Sequence, residues 1–220
     1  MWIFIISFVS IILYIIYDKV HNIKLLRTVT RFNRGTRSER DLIIRLLKEG
    51  VSSDDIFHDL YIEKKDGTYS QIDIVVLTEK GVIVIEVKDF SGWIFGFGNN
   101  EKWVHILGKM KYPFYNPVFQ NEGHIRYLKN KLDEYDNIPF YSLIVFYGEC
   151  ELKKISNIPD GTMIVKSKKS IKTYNSIIQN NGSSEMYNES VIREILNIGV
   201  INGGDKEIKS QHIQDLKKFS

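Results

Sequence analysis

The sequence is poor in cysteine, in net charge and, at its start, in charged side chains of either sign. Among 220 residues there is one cysteine, Cys150, which excludes an internal disulfide and a multi-cysteine zinc site. A lone cysteine is more often a small buried hydrophobic residue than a nucleophile. The 30 basic and 27 acidic residues leave a formal net charge of +3. That value is too small to indicate a nucleic-acid-binding protein, so the distribution of charge has to carry such an argument.

The first 17 residues, Met1 to Tyr17, contain no charged side chain. As a helix rising 1.5 Å per residue they span about 25 Å, the short end of what crosses a bilayer. A signal peptide would need a basic amino-terminal region and a small-residue cleavage site, and neither is present. A buried core helix is the remaining alternative, but the segment has no polar stripe to face water. The sequence therefore predicts a transmembrane anchor over residues 1–20.

Basic residues follow this apolar segment closely. The positive-inside rule predicts that the flank, and with it the globular part, lies in the cytoplasm. We predict that residues 21–34 are a basic juxtamembrane linker, for which attraction to anionic lipid headgroups, about 1 kcal/mol per charge, is preferred over DNA binding. The basic residues are Lys19, Lys24, Arg27, Arg31, Arg34, Arg37 and Arg40.

The most informative pattern lies between Gln71 and Lys88. Two apolar runs, residues 72–77 and 82–87, flank a short polar stretch that ends in glycine. This pattern predicts a β-hairpin. Because the runs are apolar at successive positions, we expect both strands to be buried on both faces.

Three charged side chains interrupt this hairpin: Asp73, Glu86 and Lys88. If Thr78 pairs with Gly81, Asp73 lies directly opposite Glu86, where like charges are destabilising. A slip of two residues would place Asp73 opposite Lys88 instead. A single strand charge most often faces solvent, but three together in a buried hairpin must be paired or bound to metal. We favour a divalent cation held by the two carboxylates.

Two further segments predict helices beside the hairpin. The first begins at Thr36 and ends at Gly50, and Thr36-x-x-Glu39 has the spacing of a capping box. The second begins at Asn116, a predicted N-cap followed by proline. Gln120 falls in its first turn, where it either faces the hairpin or is an ordinary surface amide.

These residues resemble the nuclease-related domain (NERD) family, a branch of the PD-(D/E)xK nuclease superfamily. The resemblance spans roughly residues 34–150 and rests on four motifs in the family's order. Asp89 is a departure, because the family often has asparagine after the lysine. The motifs are Gly35-Thr36-Arg37-Ser38-Glu39 before a helix, Gln71-Ile72-Asp73, Glu86-Val87-Lys88 followed by Gly92, and Asn116-Pro117-Val118-Phe119-Gln120.

The resulting fold expectation is α/β, a restriction-endonuclease-like central mixed β-sheet flanked by helices near residues 38–49 and 117–132. Residues 35–150 form the nuclease-related domain in this interpretation. Residues 151–200 supply a strand and helices that complete or flank it, the last helix being stopped by Gly199. Residues 201–220 are a polar tail, either a fraying helix or disordered.

The resemblance also implies a metal site for Mg²⁺ or Mn²⁺, which prefer oxygen ligands and one or two carboxylates. Asp73 and Glu86 would hold the ion, with the backbone carbonyl of Val87. In the resembled family the glutamate at Glu39 lies near this site. Capping and a contribution to the site are equally weighted for Glu39, and they do not exclude each other.

The implied reaction is phosphodiester hydrolysis, and the resemblance alone favours DNA as the substrate. Lys88 would orient the attacking water or stabilise charge on a phosphate oxygen, and Gln120 and Gln71 would position water or phosphate. The alternative is a non-catalytic, membrane-tethered module that binds nucleic acid or protein. Paired carboxylates argue against that alternative because they repel phosphate. A membrane scaffold acting through its carboxy-terminal tail is a third possibility.

Overall fold

The computed structural model describes residues 2–132, 138–180 and 189–218. These residues form two β-sheets and six α-helices. The helices are α1 (Trp2–Arg27), α2 (Arg37–Lys48), α3 (Pro117–Lys131), α4 (Ser170–Asn180), α5 (Glu189–Asn202) and α6 (Lys206–Lys218). The strands are β1 (Ile56–Glu63), β2 (Tyr69–Thr78), β3 (Gly81–Asp89), β4 (Gly92–Phe97), β5 (Lys102–Leu107), β6 (Met110–Tyr115), β7 (Phe140–Tyr147), β8 (Cys150–Ser156) and β9 (Thr162–Lys166).

The larger sheet has five strands in the order β1-β2-β3-β7-β9. Strands β1 to β3 are antiparallel neighbours, whereas β7 and β9 run parallel to β3. The predicted hairpin is confirmed as β2 and β3, with Thr78 paired to Gly81 and Val75 to Val84. The predicted α/β class, a mixed sheet flanked by helices, is confirmed.

Helices cover both faces of this sheet, which explains the unbroken apolar runs of its central strands. One face packs against α2, α4 and the end of α1, with Leu46 and Ile85 buried between them. The other packs against α3 and α5, with Val84 and Leu128 in its core. The catalytic candidates on β2 and β3 therefore lie between two layers of helices.

The smaller sheet, in the order β6-β5-β4-β8, was not predicted as a separate sheet. Its strand β5 coincides with an apolar stretch, but β6 is an exposed edge strand apart from Phe114, which is only partly buried. An exposed edge strand has no buried face to impose alternation on its sequence. Strand β8 pairs in parallel with β4, far away in the chain, which a local pattern does not reveal.

The amino-terminal helix α1 contains a 24-residue stretch, Phe4–Arg27, that is long and apolar enough to cross a membrane. Its apolar side chains are exposed to the surroundings rather than packed in the protein, except near its end. The predicted linker, residues 21–34, differs from a free tether because it is built into the domain. Leu26 and Thr30 are buried, and Arg34 forms an ion pair with Asp59.

The carboxy-terminal segments also differ from expectation. Helix α5 continues past Gly199 and ends at Asn202. Gly199 instead lets the helix approach β1 closely, since a Cβ there would lie 2.8 Å from Ile62 Cδ1. The segment 201–220, predicted as a fraying helix or a disordered tail, contains α6. Lys209 Nζ lies 2.7 Å from Asp59 Oδ2, and the His212 ring meets the Tyr61 ring edge-on at 5.4 Å. Residues 181–188, 219 and 220 of these segments lie outside the described residues.

Candidate active site

The two strands of the hairpin part where the acidic residues begin. Their paired register runs from Thr78 and Gly81 to Ile74 and Ile85 and stops there. Beyond it the Asp73 carboxylate accepts a hydrogen bond from the backbone N–H of Val87 at 2.8 Å. The side chain thus satisfies a donor that a paired strand would otherwise have engaged. This opening is what lets two carboxylates lie on one buried hairpin.

Glu86, Lys88 and Gln120 form a connected group. Alternation along β3 puts Glu86 and Lys88 on the same face, where Lys88 Nζ lies 2.6 Å from Glu86 Oε1. The same ammonium donates a hydrogen bond to Gln120 Oε1 at 2.9 Å. Asn116 caps α3 by accepting the Val118 N–H at 2.9 Å. The cap starts the helix where its first turn brings Gln120 to β3, as one of the two sequence interpretations expected.

His124 is a member of this group that the sequence analysis missed. Its Nε2 lies 3.3 Å from Glu86 Oε2, and its Nδ1 lies 2.9 Å from Ser70 Oγ. Both Glu86 Oε2 and His124 Nε2 are buried without a hydrogen-bond partner among the described residues. A usable signal was present, since His124 follows Gln120 by four residues and so shares its helix face.

The pKa values of Asp73 and Glu86 are shifted in opposite directions. Burial raises the pKa of Asp73 well above its ordinary value, and the nearby Glu86 and Glu39 raise it further. Burial also acts to raise the pKa of Glu86, but His124 and Lys88 outweigh it and the pKa is lowered. A cation between the two carboxylates would favour the ionised form of both.

The donor set fits a hard divalent cation. Mg²⁺ commonly uses one or two carboxylates and keeps several waters, and Asp73 and Glu86 supply two carboxylates. The buried Glu86 Oε2, which lacks a hydrogen bond, is an acceptor that such an ion would satisfy. Throughout residues 2–132, 138–180 and 189–218 there is no group of three or more His, Cys, Asp or Glu side chains arranged for a metal. The Val87 carbonyl as a further ligand stays a prediction.

Glu39 lies on the buried face of α2, as its spacing predicted, but both of its oxygens are engaged. Oε1 accepts a hydrogen bond from the Thr36 hydroxyl at 2.7 Å, and Oε2 lies 2.9 Å from His58 Nε2. His58 Nδ1 in turn lies 2.8 Å from Thr30 Oγ1. Burial acts to raise the pKa of Glu39, but the His58 and Thr36 hydrogen bonds lower it overall. These contacts favour capping, while direct metal binding by Glu39 stays a prediction.

The glycine before this cap is required by the same cluster. Gly35 has φ of +62°, and a Cβ there would lie 2.2 Å from Glu39 Oε2 and 2.3 Å from His58 Nε2. Asp89, the departure from the family motif, accepts a hydrogen bond from the Ser38 hydroxyl and so joins β3 to α2. Gly35 and Ser38, two residues of the first motif, therefore each have an identifiable structural role.

Gln71 makes a different contact from the one expected. Its Nε2 donates to Asp59 Oδ1 at 3.1 Å, although the residue lines the same cavity as Asp73. Asp59 is buried, has φ of +55°, and is held by Arg34 and Lys209. The sequence analysis missed Asp59 and His58, because neither position has a local pattern that marks it.

A cavity of about 710 Å³ opens beside these residues. Asp73, Gln120 and His124 line one part of it, and α6 forms another wall with Asp215 and Leu216. Asp73 thus faces an open cleft between β2, α3 and α6, whereas Glu86 is buried and contacts His124, which lines the cleft.

Comparison with known proteins bears on this arrangement. A family model described as nuclease-related domain (NERD) matches residues 34–147, more than half of the chain. An uncharacterized protein of Bacillus anthracis is 27% identical over 191 residues, covering 85% of this chain and 86% of that protein. No solved structure matches.

Proposed function

The chain belongs to the nuclease-related domain family, and on that premise we propose that it is a metal-dependent nuclease that hydrolyses phosphodiester bonds. The observation that carries the proposal is the contact of Lys88 with both Glu86 and Gln120, beside an open cleft that Asp73 and Gln120 line. The buried Glu86 Oε2 adds to it, because its contact with His124 Nε2 at 3.3 Å lacks hydrogen-bond geometry and a bound cation would stabilise this oxygen.

The side chains divide the work. Lys88, held between Glu86 and Gln120, is poised to stabilise charge on a phosphate oxygen or to orient the attacking water. Asp73 and Glu86 would hold Mg²⁺ or Mn²⁺, which when bound polarises the phosphate and lowers the pKa of a coordinated water. His124, anchored by Ser70, keeps the Glu86 carboxylate in its orientation.

The proposal includes a substrate and a location. DNA is the substrate class that family membership favours. Helix α1 would cross the membrane, and the basic residues at its end favour a domain on the cytoplasmic side under the positive-inside rule. The exposed apolar surface of α1 supports a lipid environment, since that surface is costly in water.

The test uses the full-length protein in detergent micelles with supercoiled, linear and single-stranded DNA and with RNA. Each substrate is incubated with Mg²⁺, Mn²⁺ or EDTA. We expect metal-dependent cutting that Glu86→Ala abolishes and Lys88→Ala slows about 10²- to 10³-fold. Lys80→Ala, in the turn of the same hairpin, should leave it intact.

Cutting that survives Glu86→Ala would rule out this site as its source. A folded wild-type protein that binds Mn²⁺ yet cuts nothing would favour the non-catalytic binding module instead. The panel of substrates also separates endonuclease from exonuclease action, because only an endonuclease linearises closed circular DNA.

A further inference from the structure

Two cationic side chains at the cleft have no part in the proposed chemistry. Lys64 follows β1, and Arg126 lies on α3, yet both reach the ring of Tyr127. Lys64 Nζ is 5.6 Å and Arg126 Cζ is 5.5 Å from the ring centroid. All three residues line the same cavity as Asp73 and Gln120.

Neither of these two cations forms an ion pair with a carboxylate of the described residues. In the part of the chain that the structure describes, neither Lys64 nor Arg126 lies within 4.0 Å of a carboxylate oxygen. Two like charges gathered on one aromatic ring repel each other, and the ring offsets only part of that cost. An anionic group bound between them would offset the rest.

Aromatic side chains lie next to Gln120 on the same cleft. Tyr115 ends β6 with half of its surface exposed, and Phe119 lies in the first turn of α3. Both line the cavity. Within the described ranges, neither ring stacks on another aromatic side chain. The half-exposed Tyr115 ring therefore has surface available to a flat ligand group.

We propose that the cleft binds a single, unpaired nucleic-acid strand, with Lys64 and Arg126 on its phosphates and Tyr115 and Phe119 against its bases. This inference rests on the proposed function for the cut itself and adds the class of substrate. Cations that follow a backbone, combined with rings on which bases stack, are the recurring means of binding single strands.

The shape of the cleft favours one strand over two. A cavity of about 710 Å³ is in the range that holds a small ligand, and thus a few nucleotides. A duplex keeps its base faces stacked, so a base can meet Tyr115 only after it leaves the stack. Helix α6 closes one side and adds the acidic Asp215 there. The strand's phosphates are therefore expected on the side of Lys64 and Arg126.

The test measures binding apart from cutting. Full-length protein in EDTA is titrated with labelled oligonucleotides of about 12 nucleotides, a usual site length, as single-stranded DNA, single-stranded RNA and duplex DNA of one sequence. We expect single strands to bind about tenfold or more tightly than the duplex. The DNA and RNA arms identify the preferred sugar within the proposed class.

Charge and stacking are tested separately. Log K falls with log salt, and replacing Lys64 and Arg126 by Ala should make this negative slope shallower by about 1.4, or about 0.7 for each lost phosphate contact. The control Lys172→Ala, on an exposed part of α4, should leave the slope unchanged. Tyr115→Ala should weaken single-strand binding about 5- to 150-fold, whereas Tyr112→Ala, on the same strand but outside the cavity, should not.

Equal affinity for duplex and single strand would overturn the inference, as would unchanged binding in both cleft variants. If the Ala variants fold poorly, Lys64→Gln and Tyr115→Leu decide the matter: they keep the approximate size of the side chain and should still weaken single-strand binding, whereas Lys64→Arg and Tyr115→Phe should retain it. Metal-dependent cutting without single-strand preference would leave the nuclease proposal standing and this inference refuted. Single-strand binding without cutting would do the reverse.

Discussion

Two buried aspartates, Asp59 and Asp73, lie opposite each other on the neighbouring strands β1 and β2, and their electrostatic environments differ. The register of β1 and β2 passes from His58–Ile74 to Leu60–Ile72, so Asp59 and Asp73 face each other without being paired. Asp59 is surrounded by donors from three other segments. Asp73 instead faces further carboxylates, which together with burial raise its pKa.

The two aspartates differ in whether the protein supplies their counter-charges. Asp59 is neutralised by Arg34 at 3.1 Å and Lys209 at 2.7 Å, and it also accepts from Gln71. Its counter-charges come from the protein itself. In the Asp73 and Glu86 pair, Lys88 and His124 both contact Glu86, and among the described residues Asp73 has no ion pair of its own. A buried acidic pair left under-neutralised is what a cation site requires.

The largest expected effect is a difference in cutting rate between variants of Lys88, which contacts Glu86, and Lys209, which contacts Asp59. Lys88→Ala should lower the rate of cutting about 10²- to 10³-fold, the usual cost of removing a donor that stabilises developing charge. Lys209→Ala, which removes the partner of Asp59, should affect folding more than catalysis. Single-turnover rates with saturating Mn²⁺ measure both. Equal losses in rate would mean that the two carboxylate clusters are not functionally distinct.

Folding stability, in contrast to the cutting rate, should depend mainly on the cluster around Asp59. Asp59→Ala leaves two cations without their partner and should cost about 3 kcal/mol, because breaking a buried ion pair is more damaging than never having had one. For a chain of this size that corresponds to a fall in Tm of about 6–12 °C. Thermal unfolding followed by circular dichroism measures it. A Tm within a degree or two of wild type would show that Asp59 is not the anchor of α6 and Arg34.

Stabilisation by a divalent cation should depend on Asp73 and Glu86 and not on Asp59. Mn²⁺ at about 100 times its Kd should stabilise the wild-type protein by about 2.7 kcal/mol. Asp73→Asn and Glu86→Gln should abolish this gain, and Asp59→Asn should retain it. Thermal shift with and without Mn²⁺ provides the comparison. A gain that persists in both hairpin variants would locate the ion elsewhere.

The smallest effect concerns the protein without metal. A carboxyl group whose pKa is raised by folding destabilises the folded state once pH exceeds its ordinary value, at about 1.4 kcal/mol per pKa unit. Wild-type stability in EDTA should therefore fall as pH rises from the ordinary aspartate pKa through the raised pKa of Asp73.

The matched variant for that measurement is Asp73→Asn, whose side-chain oxygen can still accept the Val87 N–H. It should remove this pH dependence and raise stability by about 1 kcal/mol or more above that range. Urea unfolding at several pH values checks the sign. A variant less stable than wild type at every pH would contradict the stated electrostatic cost.

Much of the active-site region was predictable because its signals are local. The hairpin follows from two apolar runs around a short turn, and its register follows from the turn. The cap at Thr36 and the start of α3 at Asn116 are visible in a few neighbouring residues. Helical spacing placed Glu39 on the buried face of α2 for the same reason, since it is a local property, whereas for Gln120 it left two interpretations open.

The missed residues have partners far away in the chain. His58 matters because β1 packs beside α2, which brings it to Glu39. Asp59 matters because segments ending at Arg34 and beginning near Lys209 meet there. Helix α6 is polar, and what holds it is a buried carboxylate about 150 residues earlier. Neither periodicity nor composition encodes such a pairing.

The sequence by itself determined the apolar first helix, the hairpin with its three charges and the two capped helices, because turns, caps and alternation act over a few residues. Tertiary structure alone decided that Asp59 is neutralised by Arg34 and Lys209 and that Asp73 faces the cleft. That outcome depends on where Arg34, Lys209 and His124 arrive in space, and Coulomb interactions follow distance in space rather than separation along the chain.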